Sequence, residues 1–224
     1  MTDIEQYVAD LEAHEGLPAD EHGAYGYLDS RQVDGKPDPR VTFGIGNMVS
    51  TPQAMQEHPW MDMRGPQDDW DLSRLRYIGF EDLHLAGQTI PARKASYYQH
   101  KTTLRLPVEY CRQLCRDRLT REFLPALWAS MDAPRGGFMG MVMGGGNVYN
   151  WPGLPAAARR VLVDCAWTTG GGGFEHEWPK LIAAYKRGDW DMATENVHSA
   201  GMGEERWHWR TRLLMSLSHH EVVA

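Results

Sequence analysis

The chain has 224 residues, a mass of 25.4 kDa and a formal charge of −7, long enough to bury a real core as one domain or two closely packed lobes. Its 42% hydrophobic and 24% charged residues are ordinary for a globular protein. Residues 1–100 hold 17 acids against 8 Lys and Arg, and with no basic run anywhere nucleic acid is excluded as a partner, since its binding depends on neutralising phosphates.

The N-terminal "MTDIEQYVAD" has neither the basic region nor the apolar run of a signal peptide. No stretch approaches a transmembrane helix, so no stable membrane insertion is expected. The chain is expected to fold in a reducing cytoplasm. Thr2 with Glu5 forms a capping box, and Ile4, Tyr7, Val8 and Leu11 recur at helical spacing until Gly16 and Pro18 stop the run. At 100° per residue Glu15 falls about 30° from the centre of that apolar stripe and Glu12 about 90° away. Glu15 therefore points the way the core residues point, at the open end of the helix, where partial desolvation favours the protonated carboxyl.

Residues 27–47, "YLDSRQVDGKPDPRVTFGIGN", read as a β-hairpin with an oversized turn. Asp29 stands on its first strand and Thr42 on its second, followed by Gly44, Ile45 and Gly46. A stable hairpin needs neither that carboxylate and hydroxyl on neighbouring strands nor two glycines after them. A site that lets a large substrate approach the backbone does. Residues 48–104 give no clear pattern beyond a short helix near 69–77. Pro107 starts a long helix with Val108, Cys111, Cys115 and Leu119 on one face, and Pro125 is expected to kink or end it. Residues 132–153 contain seven glycines and read as a loop.

Beyond it, "LPAAARRVLVDCAWTTGG" is apolar on nearly all sides and predicts a buried helix. "EWPKLIAAYKRG" carries Trp178, Leu181, Ile182 and Tyr185 at helical spacing and closes on Gly188. "DWDMATENVHSA" repeats the pattern, and the last helix has a stripe of Arg206, Trp209, Arg210, Leu213, Leu214 and Leu217. The fold expected is α+β. It comprises an N-terminal helix (1–15), a β-hairpin lobe with an insertion (16–104), a connecting helix (105–131), a Gly/Met-rich loop (132–153) and a helical lobe (154–224). Cys111, Cys115 and Cys165 lack zinc-ligand spacing and read as small core residues, and no His-Glu-x-x-His is present. No metal and no cofactor are expected.

Glu15, Asp29 and Thr42 together suit glycoside hydrolysis: one carboxyl stays protonated and donates to the leaving oxygen, and the other stays ionised. A threonine hydroxyl both donates and accepts, so it can hold the attacking water. Singly each has a plainer reading: Glu15 as acceptor for an arginine, Asp29 as a turn former, Thr42 as an ordinary strand residue. Trp60, Trp70, Tyr97 and Tyr98 are better read as packing residues than as sugar platforms.

The order of these pieces resembles the phage-type lysozymes, the muramidases of glycoside hydrolase family 24. "LEAHEGL" at 11–17, "YLDS" and "VTFGIGN" are similar to that family's Glu-Gly helix end, Tyr-x-Asp strand and Thr-x-Gly-x-Gly strand. "RRVLVDCAWTTGGGGF" and "RGDWDMATENV" are similar to its buried helix and Trp-Asp helix. The resemblance covers roughly residues 3–50 and 103–217. It implies a lysozyme-like fold and cleavage of the β-1,4 bond between N-acetylmuramic acid and N-acetylglucosamine in peptidoglycan. Glu15 would be the general acid, Asp29 the second carboxylate, and Thr42 the hydroxyl that positions water for inversion. Arg206, or else Arg210, would lie against the catalytic glutamate, and Gly44, Gly46 and Asn47 would meet substrate.

Asn47 departs from the histidine the family commonly places there, and "RQVDGKPDPR" enlarges the turn between Asp29 and Thr42. Residues 52–101 and 132–153 look like insertions. Delivery to the wall or periplasm would need a holin or a virion or secretion assembly. The alternative is an inactive lysozyme-like module for glycan binding or virion assembly.

Overall fold

The computed structural model of the chain describes residues 3–28, 32–33, 36–37, 41–49, 51–63, 95–100, 103–132, 149–170, 174–199 and 202–218. These residues form helices and small antiparallel sheets, an arrangement compatible with α+β. The chain divides into two compact units: residues Glu15–Cys115, and Met1–His14 together with Arg116–Ala224. Among the described residues, no helix is long and apolar enough to cross a membrane.

The unit of residues 15–115 is built on short strands. Strands β1 (Ala19–Asp20) and β2 (Gly23–Ala24) form one ladder. Strand β3 (Tyr27–Leu28) pairs with β6 (Val41–Phe43), which also pairs with β7 (Asn47–Val49), in a three-stranded antiparallel sheet. Between β3 and β6, β4 (Gln32–Val33) and β5 (Lys36–Pro37) make their own two-residue ladder. The expected hairpin with one oversized turn is therefore three paired segments. Gly44-Ile45-Gly46 is not its tail but the tight turn joining β6 to β7.

The stretch that the sequence pattern left unread returns to this unit by pairing. Thr51 caps the short helix α2 (Pro52–Gln56) through its hydroxyl, which accepts from the Ala54 N–H at 3.2 Å. Strand β8 (Met61–Asp62) then pairs with β9 (Leu104–Arg105). The expected helix at 69–77, and Trp70 with it, lies outside the described residues. Phe43, Trp60, Leu104, Leu106 and Cys111 meet in one apolar cluster. Phe43 stands edge-on to Trp60 with ring centroids 5.4 Å apart, and burying a side chain of that size is worth about 1.5–3 kcal/mol. Trp60 donates its indole N–H to the Met55 carbonyl, which makes it a core residue.

In the other unit, helix α1 (Asp3–Glu15), whose residues up to His14 belong here, buries Tyr7, Val8 and Leu11, the expected stripe. The capping partner Thr2 lies outside the described residues, and Glu5 instead accepts from Arg116 at 2.8 Å. The long helix, α3 (Val108–Arg118) and α4 (Leu124–Asp132) joined by a π turn at Leu119–Phe123, belongs to the first unit as far as Cys115 and to this one from Arg116. Pro125 does not end it. A proline has no N–H and its ring crowds the carbonyl four residues back. The π turn stands just ahead of it, with the Leu124 N–H bonded to the Leu119 carbonyl, and changes the register of those carbonyls.

Helix α5 (Ala156–Thr169) is buried along most of its length, as its all-round apolarity predicts. After the short α6 (Phe174–Glu177), helix α7 (Pro179–Arg187) buries Leu181, Ile182 and Tyr185 and ends on Gly188 at φ +71°. Helices α8 (Trp190–Glu195) and α9 (Glu204–Ser218) complete this unit. All three cysteines are free and buried, and burial pushes the Cys111 and Cys165 thiols up to about 12.

Candidate functional site

Glu15 is the last residue of α1, where Gly16 takes the left-handed conformation at φ +76° and Pro18 follows. Glu15 is half-buried, as expected for a carboxyl on the edge of the apolar stripe. Glu12 is half-buried too, so exposure alone does not separate the two acids as the helical wheel predicts.

Thr42 sits in the middle of β6, opposite Tyr27 on one side and Met48 on the other. Strand alternation sends Val41 and Phe43 into the apolar cluster and Thr42 to the other face. There it is 2% exposed, and its hydroxyl has no hydrogen-bond partner among the described residues. A buried hydroxyl without a partner costs on the order of 1–3 kcal/mol, and such groups in a native fold call for a reason. Asp29, two residues beyond Tyr27 in the chain, lies outside the described residues.

The two glycines have a local explanation that the sequence reading did not supply. Gly44 and Gly46 both have positive φ, +57° and +66°, in a turn whose centre, Ile45, is fully buried. A Cβ on Gly44 would stand 3.0 Å from Cys111 Cβ and 3.1 Å from its sulfur. Close approach does require glycine here, but what approaches Gly44 is the long helix of its own unit. Asn47 faces Phe43 across the turn and is buried at 4% exposure.

Arg206 and Arg210, the arginines expected beside the glutamate, both reach a carboxylate of the helical unit that the sequence pattern does not announce. Asp164, in the middle of α5, accepts from Arg206 Nε at 2.9 Å and Nη2 at 2.7 Å, from Arg210 Nε at 2.6 Å, and pairs with His14 Nδ1 at 2.9 Å. The requirement behind the expectation, a counter-ion for guanidinium groups on an apolar seam, is met by Asp164. The more deeply buried arginine is Arg210, with no exposed surface; its Nη1 donates to the Val197 carbonyl. Burial pushes the Asp164 carboxyl up. Hydrogen bonds from His14 and Arg206 and the charges of Arg210 and Arg206 outweigh that, holding it well below the usual carboxylate range. The signal for this cluster was present: an acid inside a helix apolar all round needs cations, and the last helix holds two.

Among the described residues, no group of three or more His, Cys, Asp or Glu is placed to hold a metal ion. Glu15 and Thr42 belong to one compact unit. No protein-family model, no curated protein and no solved structure matches the chain.

Proposed function

We propose that the chain is a muramidase of the phage-type lysozyme kind, with a lysozyme-like fold, hydrolysing the β-1,4 bond between N-acetylmuramic acid and N-acetylglucosamine in peptidoglycan. The observation that carries this reading is Thr42: a strand threonine, buried and without a hydrogen-bond partner among the described residues, in the same unit as a half-buried glutamate at a helix end. The chain order of Glu15, Asp29 and Thr42 supports it.

In this reading Glu15 protonates the leaving glycosidic oxygen. Thr42 and the ionised Asp29 hold a water on the opposite face of the sugar, and its attack inverts the anomeric centre. Inversion requires the two carboxyl groups to stand ~6.5–9.5 Å apart. The substrate arrives when a holin-type lesion or a carrier assembly delivers the protein to the wall. The chemistry uses no metal or cofactor.

The test is loss of turbidity of chloroform-treated Gram-negative cells on adding the purified chain. Glu15→Gln should fold and lower the rate by at least ~10²-fold, with Glu12→Gln close to the parent. Binding to cell walls without lysis by the parent chain would replace this reading with an inactive glycan-binding module. Activity abolished by chelation and restored by zinc would replace it with an amidase.

A further inference from the structure

We propose that His14 is the positioning residue for Glu15: its hydrogen bond to the buried Asp164 fixes the last turn of α1, and with it the direction of the carboxyl that follows. This rests on the muramidase reading of Glu15. The last carbonyls of a helix have no N–H partners within it, so helix ends fray unless something holds them. Gly16 provides no packing here, since a Cβ at that position would meet nothing within 4 Å.

His14 provides the tether. Its ring is nearly buried, pairs through Nδ1 with Asp164 Oδ1 at 2.9 Å, and stands edge-on to Trp209 with centroids 4.3 Å apart. The far end of the tether is rigid. Asp164 Oδ1 meets His14 Nδ1 and Arg206 Nη2, and Oδ2 meets Arg206 Nε and Arg210 Nε. A carboxylate with both oxygens doubly engaged cannot rotate without breaking two bonds. Because the ionised Asp164 only accepts, His14 must carry its proton on Nδ1, which fixes ring orientation as well as position.

One turn earlier, Asp10 ties the same two helices together through Arg160, at 2.7 Å to each oxygen. That pair is a built-in control: it holds α1 against α5 but does not adjoin the glutamate.

The experiment measures kcat, KM and the urea midpoint on purified peptidoglycan for the parent chain and for His14→Gln, His14→Asn and Asp10→Asn. Glutamine places its amide where Nε2 stood and loses the Asp164 bond; asparagine places its amide near Nδ1 and keeps it. His14→Gln should lower kcat by ~10–100-fold with KM little changed. His14→Asn should recover most of that loss, and Asp10→Asn should lower the midpoint while sparing kcat. A His14→Gln kcat within ~2-fold of the parent, or a loss that Asp10→Asn reproduces at equal stability, overturns the proposal. Should His14→Gln fail to fold, His14→Asn decides alone: folded with near-parent kcat it upholds the tether, folded without activity it refutes it. A parent chain with no muramidase activity is a separate result, the failure of the reading beneath.

Discussion

Arg210 donates its Nε to Oδ2 of Asp164 at 2.6 Å, with the arginine wholly out of solvent and the aspartate 1% exposed. Neither charge would be tolerated there alone. The Born cost of burying each is offset only because Arg206 and His14 complete the carboxylate's hydrogen bonds. The helical unit is thus organised around a polar centre as well as an apolar one.

Breaking that centre should cost far more than breaking a surface pair. Asp164→Asn is expected to lower stability by about 3–5 kcal/mol, because it removes the charge that the wholly buried Arg210 guanidinium is paired with. Glu122→Gln, which removes the exposed partner of Arg118, should cost about 0–1 kcal/mol. Urea unfolding monitored by tryptophan fluorescence measures both, and equal losses would refute the ranking.

Acid should destabilise the protein through the same carboxylate. Asp164 is held well below the usual range, and the Arg105 guanidinium holds Asp20 down to about 2. A depressed folded pKa means that the unfolded chain binds more protons at low pH. The stability it confers is complete above the unfolded value of about 3.9 and is lost as pH falls through the folded value. Stability should therefore be insensitive to these groups above about pH 4 and fall from there toward pH 2, with a shallower fall in Asp164→Asn. A rise in stability on acidification through that window would contradict the assignment.

Thr42→Val separates a functional hydroxyl from a structural one. Valine keeps the shape and removes a buried group that has no partner. The variant should be as stable as the parent or more stable by on the order of 1 kcal/mol, yet lose most of its lytic activity. Lower stability with intact lysis would show a structural hydroxyl instead.

Two glycines with the same backbone strain should respond differently to alanine. Gly16 and Gly44 both have positive φ, but only Gly44 has a neighbour, Cys111, within contact of the new Cβ. Gly16→Ala should cost about 1–2 kcal/mol from conformation alone. Gly44→Ala should cost that and more, since the contact lies in the packed cluster. Equal losses in thermal unfolding would remove the packing argument.

Periodicity made the helical unit legible. Trp178, Leu181, Ile182 and Tyr185 lie on a helix ended by Gly188, and the apolar run around Val161–Ala166 is buried, because helix packing follows local pattern. The strand unit was less so. Its strands are two or three residues long, and the pairing of Met61–Asp62 with Leu104–Arg105 joins segments some forty residues apart, which no local pattern records. That the helix continues through Pro125 was not legible, because the π turn just ahead of it has no side-chain signature. At the candidate site, the helical wheel sets Glu15 nearer the apolar stripe than Glu12, but both are half-buried. That Gly44 answers to Cys111 depends on a contact distant in sequence. Asp164 was overlooked because one acid hardly changes a helix's apolar average, although one buried charge dictates its partners.

The most direct test of the central claim is mass spectrometry of the fragments released from purified peptidoglycan by the parent chain and by Glu15→Gln. A muramidase acting through Glu15 releases disaccharide-peptides with N-acetylmuramic acid at the reducing end, and Glu15→Gln releases at least ~10²-fold less. Fragments ending in N-acetylglucosamine, free peptides with intact glycan strands, or equal release by the two proteins would contradict it.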